Sequence, residues 1–159
     1  METIRQSIMS NMDVKSLLDQ SSEKSSRIKT AQKAVLVAEA ELRNFKSNGI
    51  NSIREGIEGI KGGHSFTVLM SVDDKNKPLY SNDAKRTSAL NELLDNDPHY
   101  LQAKKSLKDA ETKQFGLEQT VAYAKIEVEA KRNDFAIWKS QMELSASLSR
   151  EEQTLKHTI

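Results

Sequence analysis

Three histidines, His64, His99 and His157, are the first residues to test for chemistry. A zinc or hydrolytic site on a helix needs ligands at fixed spacing, as in HxxxH or HExxH, and no histidine here sits in such a pattern. Carboxylates are plentiful but interleave with bases, as in Glu127, Glu129, Lys131 and Asp134. That is the spacing of ion pairs along a solvated helix. Ser65 lies in Gly-His-Ser-Phe and lacks the flanking glycines of a nucleophile elbow. Gly56, Gly59, Gly62 and Gly63 fit neither glycine-rich phosphate loop, and no strand precedes them. The absence of cysteine excludes thiolate catalysis, disulfides and cysteine metal sites, and fits a reducing compartment. The sequence therefore predicts a protein that is not an enzyme, with no catalytic, cofactor-binding or metal-binding residue and no cofactor.

One set of residues points toward nucleic acid. Lys77, Lys85, Arg86, Lys104, Lys105 and Lys108 fall near one another along the chain, with Tyr80 and Tyr100 close enough in sequence to offer rings for base stacking. Against this, 24 basic residues meet 23 acidic ones for a net charge of +1. Phosphate-binding proteins usually carry a clear basic excess, so a normal charged surface is the favoured reading and direct DNA binding a second one.

The elements that must position these residues are helices. From Tyr100, alternating steps of three and four give Tyr100, Ala103, Leu107, Ala110, Gln114, Leu117, Val121, Ala124, Val128, Lys131, Phe135, Trp138, Met142 and Ser145. All but Gln114, Lys131 and Ser145 are apolar, which is a heptad seam and predicts a long coiled-coil helix over residues 98–149. A second seam, Val14, Leu17, Ser21, Lys24, Ile28, Ala31, Val35, Ala38, Leu42 and Phe45, predicts another over 13–47. Asn48-Gly49 supplies its stop, because both residues tolerate a left-handed backbone. Residues 50–63 read as a weak helix ending in a Gly62-Gly63 hinge, since glycine disfavours helix. Phe66, Thr67, Val68, Leu69 and Val72, the turn residues of 73–77 and then Pro78-Leu79-Tyr80 predict a β-hairpin over 65–81. Ser81 or Asn82 caps a short helix over 82–95, and Asp97-Pro98 starts the long one.

The expected fold is mainly α: a single elongated domain built as an antiparallel coiled-coil helical hairpin, with a small β-hairpin insertion and a short helix at one end. Residues 1–12 form a polar leader and 150–159 a frayed tail. If both long helices start from the β-hairpin end, the first covers the last only to about Arg132. Residues 133–149 then project beyond it with Phe135, Ile137, Trp138, Met142, Leu144 and Leu148. A face that apolar and that wide predicts a neighbour: a second copy of the chain in a dimer or higher oligomer, or another protein. The competing expectation is that Ile4, Ile8 and Met12 of the leader fold back over it. The segment 1–12 has no apolar run of signal-peptide length and no stretch is long enough to span a membrane, so a cytoplasmic protein without membrane contact is expected.

The segment from Thr67 to Tyr100, with Lys77-Pro78-Leu79-Tyr80-Ser81-Asn82-Asp83-Ala84-Lys85-Arg86 and Asp97-Pro98-His99-Tyr100 ahead of a heptad helix, resembles small coiled-coil proteins of phages and prophages that sit near recombination and replication genes. The resemblance covers residues 67–149 and carries no catalytic residues. It implies a phage accessory factor that works by protein binding, assisting DNA recombination or inhibiting a host nuclease or defence system. A structural spacer or assembly protein is a further reading of the same heptads.

Overall fold

The computed structural model describes the backbone of residues 2–158 and the side chains of residues 14–148, 150 and 151. Helix α1 (Glu2–Asn44) runs through a π-helical turn (Phe45–Ile50) directly into α2 (Asn51–Met70); α3 (Asp83–Asp95) and α4 (Pro98–Thr158) follow. The chain packs as two compact units, Met1–Glu39 with Thr120–Ile159, and Ala40–Gln119. No helix among the described residues is long and apolar enough to cross a membrane.

In the first unit α1 and α4 run antiparallel. Gln20 accepts a hydrogen bond from Trp138 Nε1 at 3.2 Å, Lys24 pairs with Asp134 at 2.6 Å, and Glu39 pairs with Lys125 at 2.8 Å. The partner number on α4 falls as the number on α1 rises. Ala31, Ala38, Val121 and Val128 are buried between the two helices, with Ile28, Val35, Phe135 and Trp138 half-buried. The alanines matter because small side chains let two helices approach closely. Helix α1 begins at Glu2, not near Asp13, and its pairing sets Gln20 beside Trp138, further along α4 than the expected register. The projection expected for residues 133–149 is therefore corrected at Asp134 and Trp138. The side chains of Ile4, Ile8 and Met12 lie outside the described residues. The tail expected to fray from residue 150 is helical to Thr158.

In the second unit the order is the same: Lys46 pairs with Glu118 at 2.8 Å, Arg54 with Glu111 at 3.7 Å and His64 with Asp97 at 2.7 Å. Ile50, Ile57 and Val68 of the first strand of helix are buried with Ala89 and Leu94 of α3 and Ala110 of α4. The expected stop at Asn48-Gly49 and the hinge at Gly62-Gly63 are both absent, and the reason is one of phase. Continuing the first seam past Phe45 at normal spacing gives Gly49, Ser52, Gly56, Gly59 and Gly63, a face with nothing to bury. The isoleucines Ile50, Ile53, Ile57 and Ile60 stand one residue later. The π turn absorbs that residue: the Asn51 N–H bonds to the Lys46 carbonyl five residues back. The wider turn keeps the isoleucines on the inner side and turns the glycines outward. Gly49 lets Phe45 lie against it, since a Cβ there would sit 3.0 Å from the ring.

The β-hairpin expected over residues 65–81 does not form. Residues 65–70 are the last turns of α2, and residues 71–82 are a loop whose pairing is a single antiparallel bridge, Val72 to Pro78. Burial decides between the alternatives, because Val68 and half-buried His64 continue the inner face of Ile57. Strand propensity is worth only about 1 kcal/mol, and helical packing of this face outweighs it. The turn chemistry is real but local: Asp73 Oδ1 accepts from the N–H groups of Lys75 and Lys77, both at 2.9 Å, and Asn76 takes a left-handed φ of 59°. Asn82 Oδ1 caps α3 by accepting from Lys85 N at 2.9 Å.

The phase argument gives a test by length variants. Deletion of Gly49 removes the extra residue and lets an ordinary α-helix keep Ile57 and Val68 inward, so helicity and melting temperature by circular dichroism are expected to stay near wild type. Insertion of one alanine after Gly49 turns that face away by about 100°. It is expected to cost about 3 kcal/mol or more, the scale of exposing two aliphatic side chains.

Candidate functional site

The residues expected to make an interface divide into two sets on α4. Phe135, Trp138 and Met142 are half-buried in the seam against α1, where the rings of Phe135 and Trp138 stack with centroids 5.8 Å apart. Ile137, Leu144 and Leu148 are exposed. A second apolar stripe becomes visible once the first is filled. It runs two residues out of step with the seam, through Tyr123, Ile126, Ala130, Ile137 and Leu144, with Asn133 and Ser140 in the gaps. Tyr123 is 69%, Ile126 63%, Ile137 59% and Leu144 63% exposed. Ile137, Ser140, Gln141 and Leu144 line a shallow hollow on this face, together with Ala136. Those four stand at i, i+3, i+4 and i+7, the arrangement that receives one side chain of a packed helix. Beside the stripe, Val35 and Leu36 of α1 and Ile126 and Val128 of α4 line an open groove edged by Lys125, Glu129 and Arg132. The sequence carried a signal for the stripe: the same three-four spacing, read a second time from Tyr123, meets no charged residue through Ser147.

The residues expected to contact nucleic acid all lie in the second unit. Lys77, Lys85, Lys104, Lys105 and Lys108 are exposed. Arg86 is committed locally: Nε donates to the Tyr80 carbonyl and Nη1 to Asp83, both at 3.2 Å. Tyr80 and Tyr100 are half-buried, and the Lys104 ammonium stands 5.7 Å from the Tyr100 ring centroid. Acidic and basic residues balance across this unit.

One histidine does structural work. His64 Nε2 meets Asp97 Oδ2 at 2.7 Å, while the other Asp97 oxygen accepts from the backbone N–H groups of His99 at 2.7 Å and Tyr100 at 3.3 Å. Asp97 thus caps α4, with Pro98 as its first residue, and ties that corner to α2. His99 is exposed, and the His157 side chain lies outside the described residues. Among the described residues no three His, Asp or Glu side chains group as metal ligands. Comparison with protein-family models, curated proteins and solved structures finds no match.

Asp97, Glu118 and Asp134 have carboxyls held below their ordinary range. The His64 hydrogen bond does this first for Asp97, the Lys46 ion pair for Glu118 and the Lys24 ion pair for Asp134. A carboxyl with a lowered folded pKa adds stability that is complete above its unfolded value and lost as pH falls through the folded one. The melting temperature is therefore expected to hold from neutral pH to about pH 5 and to fall at lower pH. Asp97→Asn is expected to melt lower at neutral pH and to show a shallower acid slope.

Proposed function

We propose that this chain is a non-enzymatic interaction protein that works by lending an apolar helix face to another protein or to a second copy of itself. The observation that carries the reading is the exposed stripe of Tyr123, Ile126, Ile137 and Leu144 on a helix whose other apolar face is already filled. A helix inside a two-helix packing needs one apolar side, and a second one in water costs solubility unless something covers it. The resemblance of residues 67–149 to phage coiled-coil proteins suggests the setting: an accessory of DNA recombination, or an inhibitor that sits on a host nuclease or defence protein. Photocrosslinking in cells tests the face. A benzophenone side chain at position 137 is expected to yield a discrete crosslinked species, and the same group at Lys33, an exposed polar position of α1, is expected to yield none. No product from positions 123, 126, 137 or 144 would overturn the reading.

The second reading, direct DNA binding, is favoured by one feature, the exposure of Lys104, Lys105 and Lys108 along one stretch of α4. It predicts retention of a labelled duplex that weakens with salt and is abolished by Lys104→Glu with Lys105→Glu. Equal retention by that double variant would remove it.

A further inference from the structure

The chemistry of the occupant is written along the borders of the stripe, and this deepening rests on the interaction reading above. The α4 positions that flank Tyr123, Ile126, Ala130, Ile137 and Leu144 hold four charged residues, Glu127, Glu129, Asp134 and Glu143, and no base. Lys125, Arg132 and Lys139 of the same stretch stand one position farther from the stripe than Glu129 and Glu143, and Lys125 and Arg132 edge the groove beside Ile126 together with Glu129. Lys131 is half-buried in the first seam and Lys125 pairs with Glu39 of α1. The acids are each paired with a base: Arg132 to Glu129 at 2.9 Å, Lys131 to Glu127 at 3.9 Å and Lys139 to Glu143 at 3.8 Å, with Lys24 of α1 on Asp134 at 2.6 Å. All four acids nevertheless stay more than half exposed. Exposed pairs of this kind are worth at most about 1 kcal/mol and leave each carboxylate free to meet a further cation.

We infer that this face takes an amphipathic helix of another protein, one whose apolar heptad stripe is bordered by Lys and Arg. The helical form of the occupant follows from the three-four spacing and from the four-residue hollow at Ile137, Ser140, Gln141 and Leu144, which matches one knob of a packed helix. Its charge follows from the acidic borders. A second copy is the poorer occupant because both borders are acidic. In either direction, two α4 stripes laid together bring the borders that hold Glu127, Glu129, Asp134 and Glu143 against one another. From Tyr123 to Ser147 the stripe is about 36 Å long, enough for a partner helix of more than three heptads.

Two designed peptides, each about four heptads long, test this. They share one Leu/Ile stripe and differ in borders, all Lys in one and all Glu in the other. Fluorescence anisotropy with the full chain is expected to show the Lys-bordered peptide binding at least about tenfold more tightly, with the difference shrinking as salt rises. Ile126→Glu with Ile137→Glu, both at exposed positions, is expected to abolish binding with helicity unchanged by circular dichroism. Glu127→Lys with Glu129→Lys and Glu143→Lys is expected to reverse the preference. Equal affinity for the two peptides, or no binding of the Lys-bordered one, overturns the inference. So does a wild-type dimer by light scattering that Ile126→Glu with Ile137→Glu dissociates. Equal affinity with an intact crosslink at position 137 would fault the partner's charge alone, whereas loss of that crosslink would fault the face itself.

Discussion

A long helix packs on a neighbour along one narrow side, and an α-helix holds that side in place only while its apolar residues keep step with its turn. Between Phe45 and Ile50 the sequence falls one residue out of step. The backbone answers by widening a single turn, with Gly49 giving the Phe45 ring room and the Lys113 ammonium standing 4.9 Å from that ring's centroid. Everything downstream in α2 depends on this correction. Without it Gly56, Gly59 and Gly63 would face the inside, and Ile57 and Val68 would face water.

The long seam was legible from spacing, and so was the first from Ser21 to Phe45, although its expected first members Val14 and Leu17 are exposed. From Tyr100 to Met142 every position of the long seam is buried or half-buried, Gln114 and Lys131 included. The two polar members manage this locally: Gln114 donates to Glu118 at 2.8 Å, and Lys131 reaches back to Glu127. Helix caps at Asn82 and Asp97 were legible too, because a short polar side chain before a helix has few other uses. What could not be read was the competition between local preference and burial. Asn48-Gly49 looks like a stop, and Phe66 to Val72 looks like a strand, to any scheme that weighs residues one stretch at a time. Only the inward placement of Ile57, His64 and Val68 on one face shows that helix wins, and that requires knowing the phase slip first.

The candidate face was half legible for a related reason. Its width was apparent in Phe135, Ile137, Trp138, Met142, Leu144 and Leu148, but one wide face is really two narrow ones. Phe135, Trp138 and Met142 belong to the packing with α1, and Ile137 and Leu144 to the outward stripe that also includes Tyr123 and Ile126. The small residues Ala31 and Ala38 draw the helices together and leave those outward side chains well clear of the shared seam.

The nesting of the two units in the chain has a kinetic consequence. The second unit is one uninterrupted stretch, Ala40–Gln119, whose α2 and α3 are joined by residues 71–82 and α3 and α4 by residues 96–97. The first unit must join residues as far apart as Gln20 and Trp138, with the whole of the other unit between them in sequence. Loop closure over that distance is the larger entropic cost, and it falls once the intervening stretch is already folded. Loop-closure entropy therefore favours forming the second unit before the antiparallel pairing of α1 with α4. The exposed side chains of Tyr123, Ile126, Ile137 and Leu144 belong to the first unit, the one whose closure spans the longer stretch of chain.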